Sequence, residues 1–329
     1  MTVAQSGEFG LIERLTRRLA VPAGDGADAD CLLGPGDDAA VVRAPDGRVV
    51  ACTDVLVEGR HFRRDWSSAT DVGHRAAAAN LADIAAMGAR PTALLVGFCT
   101  PRDLPVEWAE EFADGLAAEA ALVGASVVGG DTVASPTLTI SVTALGDLEH
   151  RTPVTRSGAR PGDIVAMAGR IGWAAAGYTI LSRGFRSPGA LVGAFRRPEV
   201  PYAAGILAAQ LGATSMIDVS DGLLADVGHI AVASGVHVDL RRSCFKLSQQ
   251  MADSANALGV DPYEWVFTGG EDHALVATFP PDVMLGAEWA EIGVVRAGEG
   301  VTVDGTRWTS SAAGWDHFRQ ELNGSFVRN

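Results

Sequence analysis

Residues 49–54 read Val-Val-Ala-Cys-Thr-Asp, an apolar run that predicts a β-strand and ends on a hydroxyl and a carboxylate. The same arrangement returns at residues 126–132, Ser-Val-Val-Gly-Gly-Asp-Thr, and at residues 216–222, Met-Ile-Asp-Val-Ser-Asp-Gly. A strand that leaves the core delivers its terminal side chain at the edge of a sheet, where ligands commonly bind. Adjacent glycines let phosphate groups approach backbone N–H groups. The repeated pattern predicts a site built from carboxylates at strand ends.

Further acidic clusters lie at residues 34–38, Gly-Pro-Gly-Asp-Asp, and at residues 269–272, Gly-Gly-Glu-Asp. Asn80 and Asp83 are three residues apart in a predicted helix and therefore face the same way. Each cluster taken alone is typical of a turn or a helix cap. Together they predict converging carboxylates, whose repulsion a hard divalent cation relieves, and Mg²⁺ bound through carboxylates and nucleotide phosphates is the usual arrangement.

Composition excludes several other classes of function. The 329 residues carry 26 basic and 40 acidic side chains, a net charge of −14, which argues against nucleic acid or an anionic membrane as a partner. Lys246 is the single lysine, and no Walker P-loop is present. The four cysteines are far apart, and the N-terminus does not resemble a signal peptide, so a cytoplasmic location is expected.

Hydrophobic periodicity predicts strands and helices that mix without strict alternation, which favours an α+β fold. A turn at residues 45–47 predicts a hairpin between apolar runs 39–42 and 49–52. The Pro-, Gly- and Arg-containing segment 151–163 predicts a boundary between domains 1–150 and 151–329. Predicted helices cover residues 8–20, 71–88, 105–123, 202–211, 223–234 and a segment from 173; predicted strands cover 94–98, 126–128, 138–145, 164–168 and 215–218.

Taken in order, nine segments between Gly7 and Phe318 resemble the thiamine-monophosphate kinase family of the aminoimidazole-ribonucleotide-synthetase superfamily. They are GEFGLIERL, GPGDDAAV, CTDVLVEGRHF, NLADIAAMGARP, GGDT, TRSGARPGD, IDVSDGL, GGEDH and GWDHF. The resemblance implies a two-domain α+β fold whose N-terminal mixed sheet pairs across a homodimer. It also implies transfer of a phosphoryl group from ATP to thiamine monophosphate, with several Mg²⁺ ions, in the last step of thiamine diphosphate biosynthesis.

The resemblance also implies roles for particular residues. Those that would hold the metals are Asp38, Thr53, Asp54, Asp83, Asp131, Asp218 and Asp221. Those that would contact ATP are Gly130, Arg156 and Ser220. Those that would contact thiamine monophosphate are His61, Glu271 and Trp315, the last offering an aromatic face to a cationic heterocycle.

Two residues depart from the family pattern. Cys52 stands where serine or threonine is more common, which alters the metal site if that side chain binds metal. His273 stands where tyrosine is common. Two alternative functions stay open at this point: another ATP-using enzyme of the same superfamily, or a non-catalytic nucleotide-binding protein.

Overall fold

A computed structural model describes residues 1–19, 30–33 and 40–309. The predicted site residues Asp38 and Trp315 lie outside the described residues. Chain contacts divide the described part into two compact units, residues 1–84 with 90–150 (the first unit) and residues 85–89 with 151–309 (the second unit). No helix in the described ranges is long and apolar enough to cross a membrane.

The first unit is built around one sheet and two long helices. Its elements are α1 (Val3–Ser6), α2 (Glu8–Leu19), β1 (Cys31–Leu33), β2 (Val41–Val42), β3 (Val50–Val57), α3 (Ala69–Ala86), β4 (Arg90–Thr100), α4 (Val106–Leu122), β5 (Ser126–Ala134) and β6 (Thr139–Asp147). The sheet has the strand order β3-β6-β4-β5, with β4 and β5 parallel and the other pairs antiparallel. The predicted mixed sheet is therefore confirmed.

The two faces of this sheet differ because successive side chains of a strand alternate between them. Leu94, Val96 and Phe98 of β4 are buried, and the Phe98 ring stacks on Phe112 of α4 with centroids 5.3 Å apart. On the opposite face, the side chains of β3 are open to solvent, and Val55 is 48% exposed. This half-apolar surface, which includes Ala51, Thr53 and Val55, is called the open face below.

The second unit contains a larger sheet with helices packed on it. Its elements are β7 (Ile164–Ala168), α5 (Trp173–Ser182), α6 (Gly189–Arg196), α7 (Tyr202–Gln210), β8 (Ser215–Val219), α8 (Leu223–Ser234), β9 (His237–Leu240), a 3₁₀ turn (Arg242–Cys244), α9 (Gln249–Leu258), α10 (Pro262–Thr268), β10 (Ala274–Phe279), β11 (Trp289–Arg296) and β12 (Gly300–Val303). The strand order is β12-β9-β11-β7-β10-β8, with β12 and β9 parallel. Every residue of β10 is buried.

The α+β class is confirmed, and the predicted helices lie close to their observed positions. The hairpin expected around residues 45–47 is wrong. The chain does turn there, but β2 pairs with β1, whereas β3 pairs over its whole length with β6. An eight-residue partner in the sheet supplies many more ladder hydrogen bonds than the two-residue β2 can offer.

Candidate active site

Thr53 and Asp54 lie in the middle of β3, so the expectation that they end a strand is wrong. The strand continues to Val57 because β6 pairs with it as far as Thr139. Adjacent positions of a strand point to opposite faces. The Thr53 hydroxyl, next to the open face, donates to the Val142 carbonyl at 3.0 Å, and Asp54 points away from it. The two side chains therefore do not converge.

Helix α3 fixes the strand at Asp54. The Asn80 side chain is fully buried, and its Oδ1 accepts the Asp54 N–H at 3.0 Å while its Nδ2 donates to the Ala76 carbonyl at 3.0 Å. Both polar ends of the amide are satisfied, as a buried polar group requires. Asp83, on the same face of α3, is thereby brought to the Asp54 side of the sheet.

Cys52 lies between these two carboxylates and does not act as a thiolate. Its thiol donates to the Asn80 carbonyl, with Sγ and O 3.3 Å apart. Burial raises the pKa of the Cys52 thiol far above its ordinary value, and the negative charges of Asp83 and Asp54 raise that pKa further. The departure at Cys52 therefore adds no thiolate to the site, and the pKa of the thiol indicates that Asp54 and Asp83 both lie near it.

Asp131 lies on β5, the opposite edge of the same sheet from Asp54. Three strand spacings separate the two edges, a distance of about 14 Å. The expectation that the strand ends before Gly129-Gly130-Asp131 is wrong, since β5 runs to Ala134. Packing explains why residue 130 is glycine, because a Cβ there would lie 2.1 Å from the Val96 carbonyl oxygen. Within the first unit, Asp131 is not brought to the other predicted ligands.

His61 lies in the turn after β3, and the turn determines its tautomer. Its Nδ1 accepts the Val57 N–H at 3.0 Å. A ring nitrogen that accepts a hydrogen bond carries no proton, so the neutral imidazole keeps its proton on Nε2. His61 is thus prepared to donate from Nε2.

In the second unit, two motifs 50 residues apart in the chain meet at one edge of the sheet. Strand β8 ends at Val219, where it pairs with Ala274 of β10, so Ser220 follows a strand end as expected. The Glu271 N–H donates to the Ser220 carbonyl at 2.9 Å. A Cβ at Gly270 would lie 2.1 Å from the same oxygen, so only glycine allows this approach.

The residues Ser220, Asp221 and Glu271 are therefore neighbours. Glu271 has φ of 70°, a left-handed conformation that costs a non-glycine residue energy. The hydrogen bond to Ser220 maintains this conformation and holds the Glu271 side chain at the sheet edge.

A third carboxylate joins Asp218 and Asp221, and the sequence analysis missed it. Asp226, in the first turn of α8, accepts the Asp221 and Gly222 N–H groups through Oδ2 at 3.1 and 3.0 Å. Burial raises the pKa of Asp226 to about 7, and the charges of Asp218 and Asp221 contribute to the rise. Its position five residues after Asp221, in a first helical turn where acidic caps are common, is the signal that could have revealed it.

The cluster of Asp218, Asp221 and Asp226 fits a divalent cation in its chemistry, because carboxylate oxygens are the ligands that such cations prefer and the first two carboxylates are close enough to raise the pKa of the third. The described residues contain no group of three or more His, Cys, Asp or Glu side chains already arranged to hold a metal. A cation there would therefore need further oxygen ligands, which water molecules or phosphate groups supply.

Asp272, the last acidic residue of the Gly-Gly-Glu-Asp motif, has a structural role. Its two oxygens accept the Gly172 and Ala174 N–H groups at 2.6 and 2.8 Å, at the start of α5. These contacts satisfy the unpaired N–H groups of the helix N-terminus. Burial raises the pKa of Asp272 to about 7, against the lowering effect of those two hydrogen bonds.

Arg156 lies at the other end of β8 from Ser220. The Met216 N–H donates to the Thr155 carbonyl at 3.1 Å, and the Ser234 hydroxyl donates to the Arg156 carbonyl at 3.2 Å. Ser220 is four residue steps along the chain from Met216, a distance of about 13 Å in an extended strand. The backbones of these two predicted ATP contacts are therefore not brought together.

Comparison with known proteins agrees with this fold. Residues 36–148 match the family model described as AIR synthase related protein, N-terminal domain. A protein of Mycobacterium tuberculosis named thiamine-monophosphate kinase is 48% identical over 324 residues, which cover 98% of this chain and 95% of that protein. The solved structure of thiamine monophosphate kinase from Aquifex aeolicus has a TM-score of 0.76 at 31% identity, covering 94% of this chain and 100% of that one. A solved chain described as AaThiL complexed with AMPPCP and TMP has a TM-score of 0.76 at 32% identity, covering 97% and 99%.

The mixed sheet and the match over residues 36–148 define a chain of the AIR synthase-related class. The similarity to a curated relative extends over 98% of the sequence, so a particular family within this class can be identified. The chain belongs to the thiamine-monophosphate kinase family. The resemblance expected from the nine motifs is confirmed.

Replacing Asn80 tests the connection between α3 and β3. We expect Asn80→Leu, similar in size but without an amide, to lower the free energy of unfolding by about 1–3 kcal/mol, because the partly buried Asp54 N–H loses its acceptor. Amide hydrogen exchange at Asp54 should become faster. Asn256→Leu, on the exposed side of α9, is the matched control and should change stability little. Unchanged exchange at Asp54 in Asn80→Leu would contradict the assignment.

The raised pKa values predict a pH dependence of stability. Asp226 has an ordinary pKa of 3.8 when unfolded and about 7 when folded, so the folded protein binds more protons between these values. The free energy of unfolding should therefore fall as the pH rises from about 4 to about 7. Urea unfolding with EDTA at several pH values measures this, and Asp226→Asn should show a shallower decline. The exposed Asp282→Asn variant should follow wild type, and an equally steep decline in Asp226→Asn would refute the prediction.

Proposed function

We propose that this chain transfers the γ-phosphoryl group of ATP to thiamine monophosphate, giving thiamine diphosphate and ADP. The observation that carries the proposal is the meeting of Ser220 and Asp221 with Glu271, predicted contacts of the nucleotide, the metal and the acceptor, in a chain 48% identical to a thiamine-monophosphate kinase. Such a chain is a kinase, that is, a phosphotransferase. The relative complexed with AMPPCP and TMP supports the choice of both substrates.

The acceptor needs no general base, because a phosphate monoester is already anionic at neutral pH. Catalysis then consists of positioning the two phosphates in line and neutralising their charge. When bound, Mg²⁺ supplies that neutralisation. In the second unit Asp218 and Asp221 would hold it, and in the first unit Asp54 and Asp83, which α3 and β3 bring into one neighbourhood.

The other predicted site residues are assigned individual contacts with the substrates or the metal. His61, with its proton on Nε2, is suited to donate a hydrogen bond to the acceptor. Because the Thr53 side chain points to the open face, Thr53 would reach a metal through its main-chain carbonyl. Asp131 and Arg156 stay predictions, and both are far from the carboxylates of their own unit. We assign residues 1–150 to ATP and metal binding and dimerisation, and residues 151–329 to completing the site, in a cytoplasmic enzyme.

We also propose that the chain forms a homodimer through the open face of the first sheet. Both edge strands, β3 and β5, lack a partner on their outer side within the described residues. Unpaired edges beside an apolar face are unfavourable in a monomer and are typical of a surface that another chain covers.

The test of the dimer is a charge placed on the open face. Val55→Asp should leave the subunit folded, because Val55 is 48% exposed in the single chain, and should convert a dimer to a monomer in light scattering coupled to size exclusion. Val232→Asp, on α8 where Val232 is 84% exposed, is the control and should remain dimeric. A monomeric wild-type protein, or a dimeric Val55→Asp variant, would overturn the proposal.

The reaction is tested by ³¹P NMR of the purified chain with ATP, Mg²⁺ and thiamine monophosphate. We expect resonances of thiamine diphosphate to grow and EDTA to abolish them. Asp221→Asn should reduce turnover by about 100-fold or more, because charge neutralisation at the transferred phosphoryl group is lost, whereas Asp282→Asn should not. A folded protein that binds ATP and leaves it intact would instead favour a non-catalytic nucleotide-binding role, and turnover of ATP with a different acceptor would favour another activity of the superfamily.

A further inference from the structure

A buried histidine contacts one of the predicted metal ligands in the second unit. His273 and Asp218 are each only 4% exposed, and His273 Nδ1 lies 3.0 Å from Asp218 Oδ2. The family resemblance implied no role for His273, which stands where tyrosine is common. The pair lies directly behind the edge at which Ser220 and Glu271 meet, since the His273 N–H donates to the Val219 carbonyl at 3.0 Å.

The chemistry of the pair determines which atom carries the proton. A carboxylate that binds a cation is ionised and only accepts hydrogen bonds. The proton in the contact must therefore be on His273 Nδ1, and the ring acts as a donor to Asp218 Oδ2. The backbone on either side of the ring is also defined. His273 has φ of 51°, and the next residue, Ala274, pairs with Val219 of β8.

The hydrogen bond leaves one oxygen of Asp218 for another ligand. Oδ1 accepts no hydrogen bond from the described residues, and it is not one of the side-chain atoms that are both buried and unsatisfied there. Because Oδ2 is held by the ring, the carboxylate cannot rotate freely about its terminal bond. Asp218 as a whole lies close enough to Asp226 for its charge to raise the pKa of that carboxyl, as Asp221 also does.

We propose that His273 is a positioning residue that holds Asp218 in the orientation needed to bind a divalent cation. The proposal rests on the proposed function in that it takes Asp218 as a metal ligand. Hydrogen bonds to ligating groups tune metal affinity, and removing one such partner typically weakens binding by about 10–100-fold. His273 therefore affects the metal without touching it.

Two substitutions distinguish the effect of the hydrogen bond from the effect of the volume of the ring. His273→Asn places an amide Nδ2 near the position of the imidazole Nδ1, so it can still donate to Asp218, and asparagine tolerates positive φ. His273→Leu is of similar size and cannot donate. Binding of Mn²⁺, as a probe for Mg²⁺, is followed by electron paramagnetic resonance on the full chain without nucleotide or acceptor.

We expect His273→Leu to bind Mn²⁺ about 10–100-fold more weakly than wild type and His273→Asn to bind it almost as well as wild type. In the Asp218→Asn background, His273→Leu should cause no further loss, because both changes act through the same carboxylate. Wild-type affinity in His273→Leu, or an equal loss with and without Asp218, would overturn the proposal.

Should His273→Leu fail to fold, nitrogen-15 NMR of the histidine rings of the wild-type chain tests the same contact. The His273 ring, assigned by its absence in His273→Asn, should be in the Nδ1–H tautomer, and its Nδ1 resonance should shift when Mg²⁺ is added. An Nε2–H tautomer, or no response to Mg²⁺, would refute the positioning role. The ³¹P assay of wild type is run in parallel. If His273→Leu weakens Mn²⁺ binding through Asp218 but the wild-type enzyme is inactive, the proposed function fails. If the wild-type enzyme is active but His273→Leu binds Mn²⁺ normally, the positioning role fails.

Discussion

The antiparallel pairing of β8 with β10 is the constraint on which the candidate site of the second unit depends. The register that places Val219 opposite Ala274 brings the residues after β8 against the residues before β10. Because all side chains of both strands are buried, a shift of one residue would exchange the faces of an apolar strand pair that is covered on both sides. The pairing of these two strands thus locates Asp218 within β8 and the functional residues that follow β8 and precede β10.

Three carboxylates of the second unit are held by backbone or imidazole N–H groups. Asp226 binds two backbone N–H groups, Asp272 binds two more at the start of α5, and Asp218 binds the His273 ring. Cationic partners would compete with a metal for the same oxygens, whereas backbone and imidazole N–H groups orient a carboxylate and leave most of its charge uncompensated. This arrangement is well suited to an acidic site that uses metal ions and phosphates to complete its coordination.

The two units differ in how well the pattern of an apolar run followed by a carboxylate predicts where a strand ends. In the second unit Ser220 and Asp221 follow the end of β8, as the pattern of an apolar run and a carboxylate predicts. In the first unit the same pattern is misleading, because β3 and β5 continue past Asp54 and Asp131. The partner strands β6 and β4 are long enough to extend the ladder through polar and glycine residues, which local propensity alone disfavours.

The sequence by itself determined the α+β class, the positions of the main helices, the acidic chemistry and the family, because these depend on local periodicity and on motifs that stay together in the chain. Only the tertiary structure decided which residues meet. Thr53 and Asp54 are neighbours in sequence but point to opposite faces, whereas Ser220 and Glu271 are far apart in sequence and in contact. His273 became a functional candidate for the same reason: the pairing of β8 with β10 brings it to Asp218, 55 residues away in the chain, and no local pattern records that pairing.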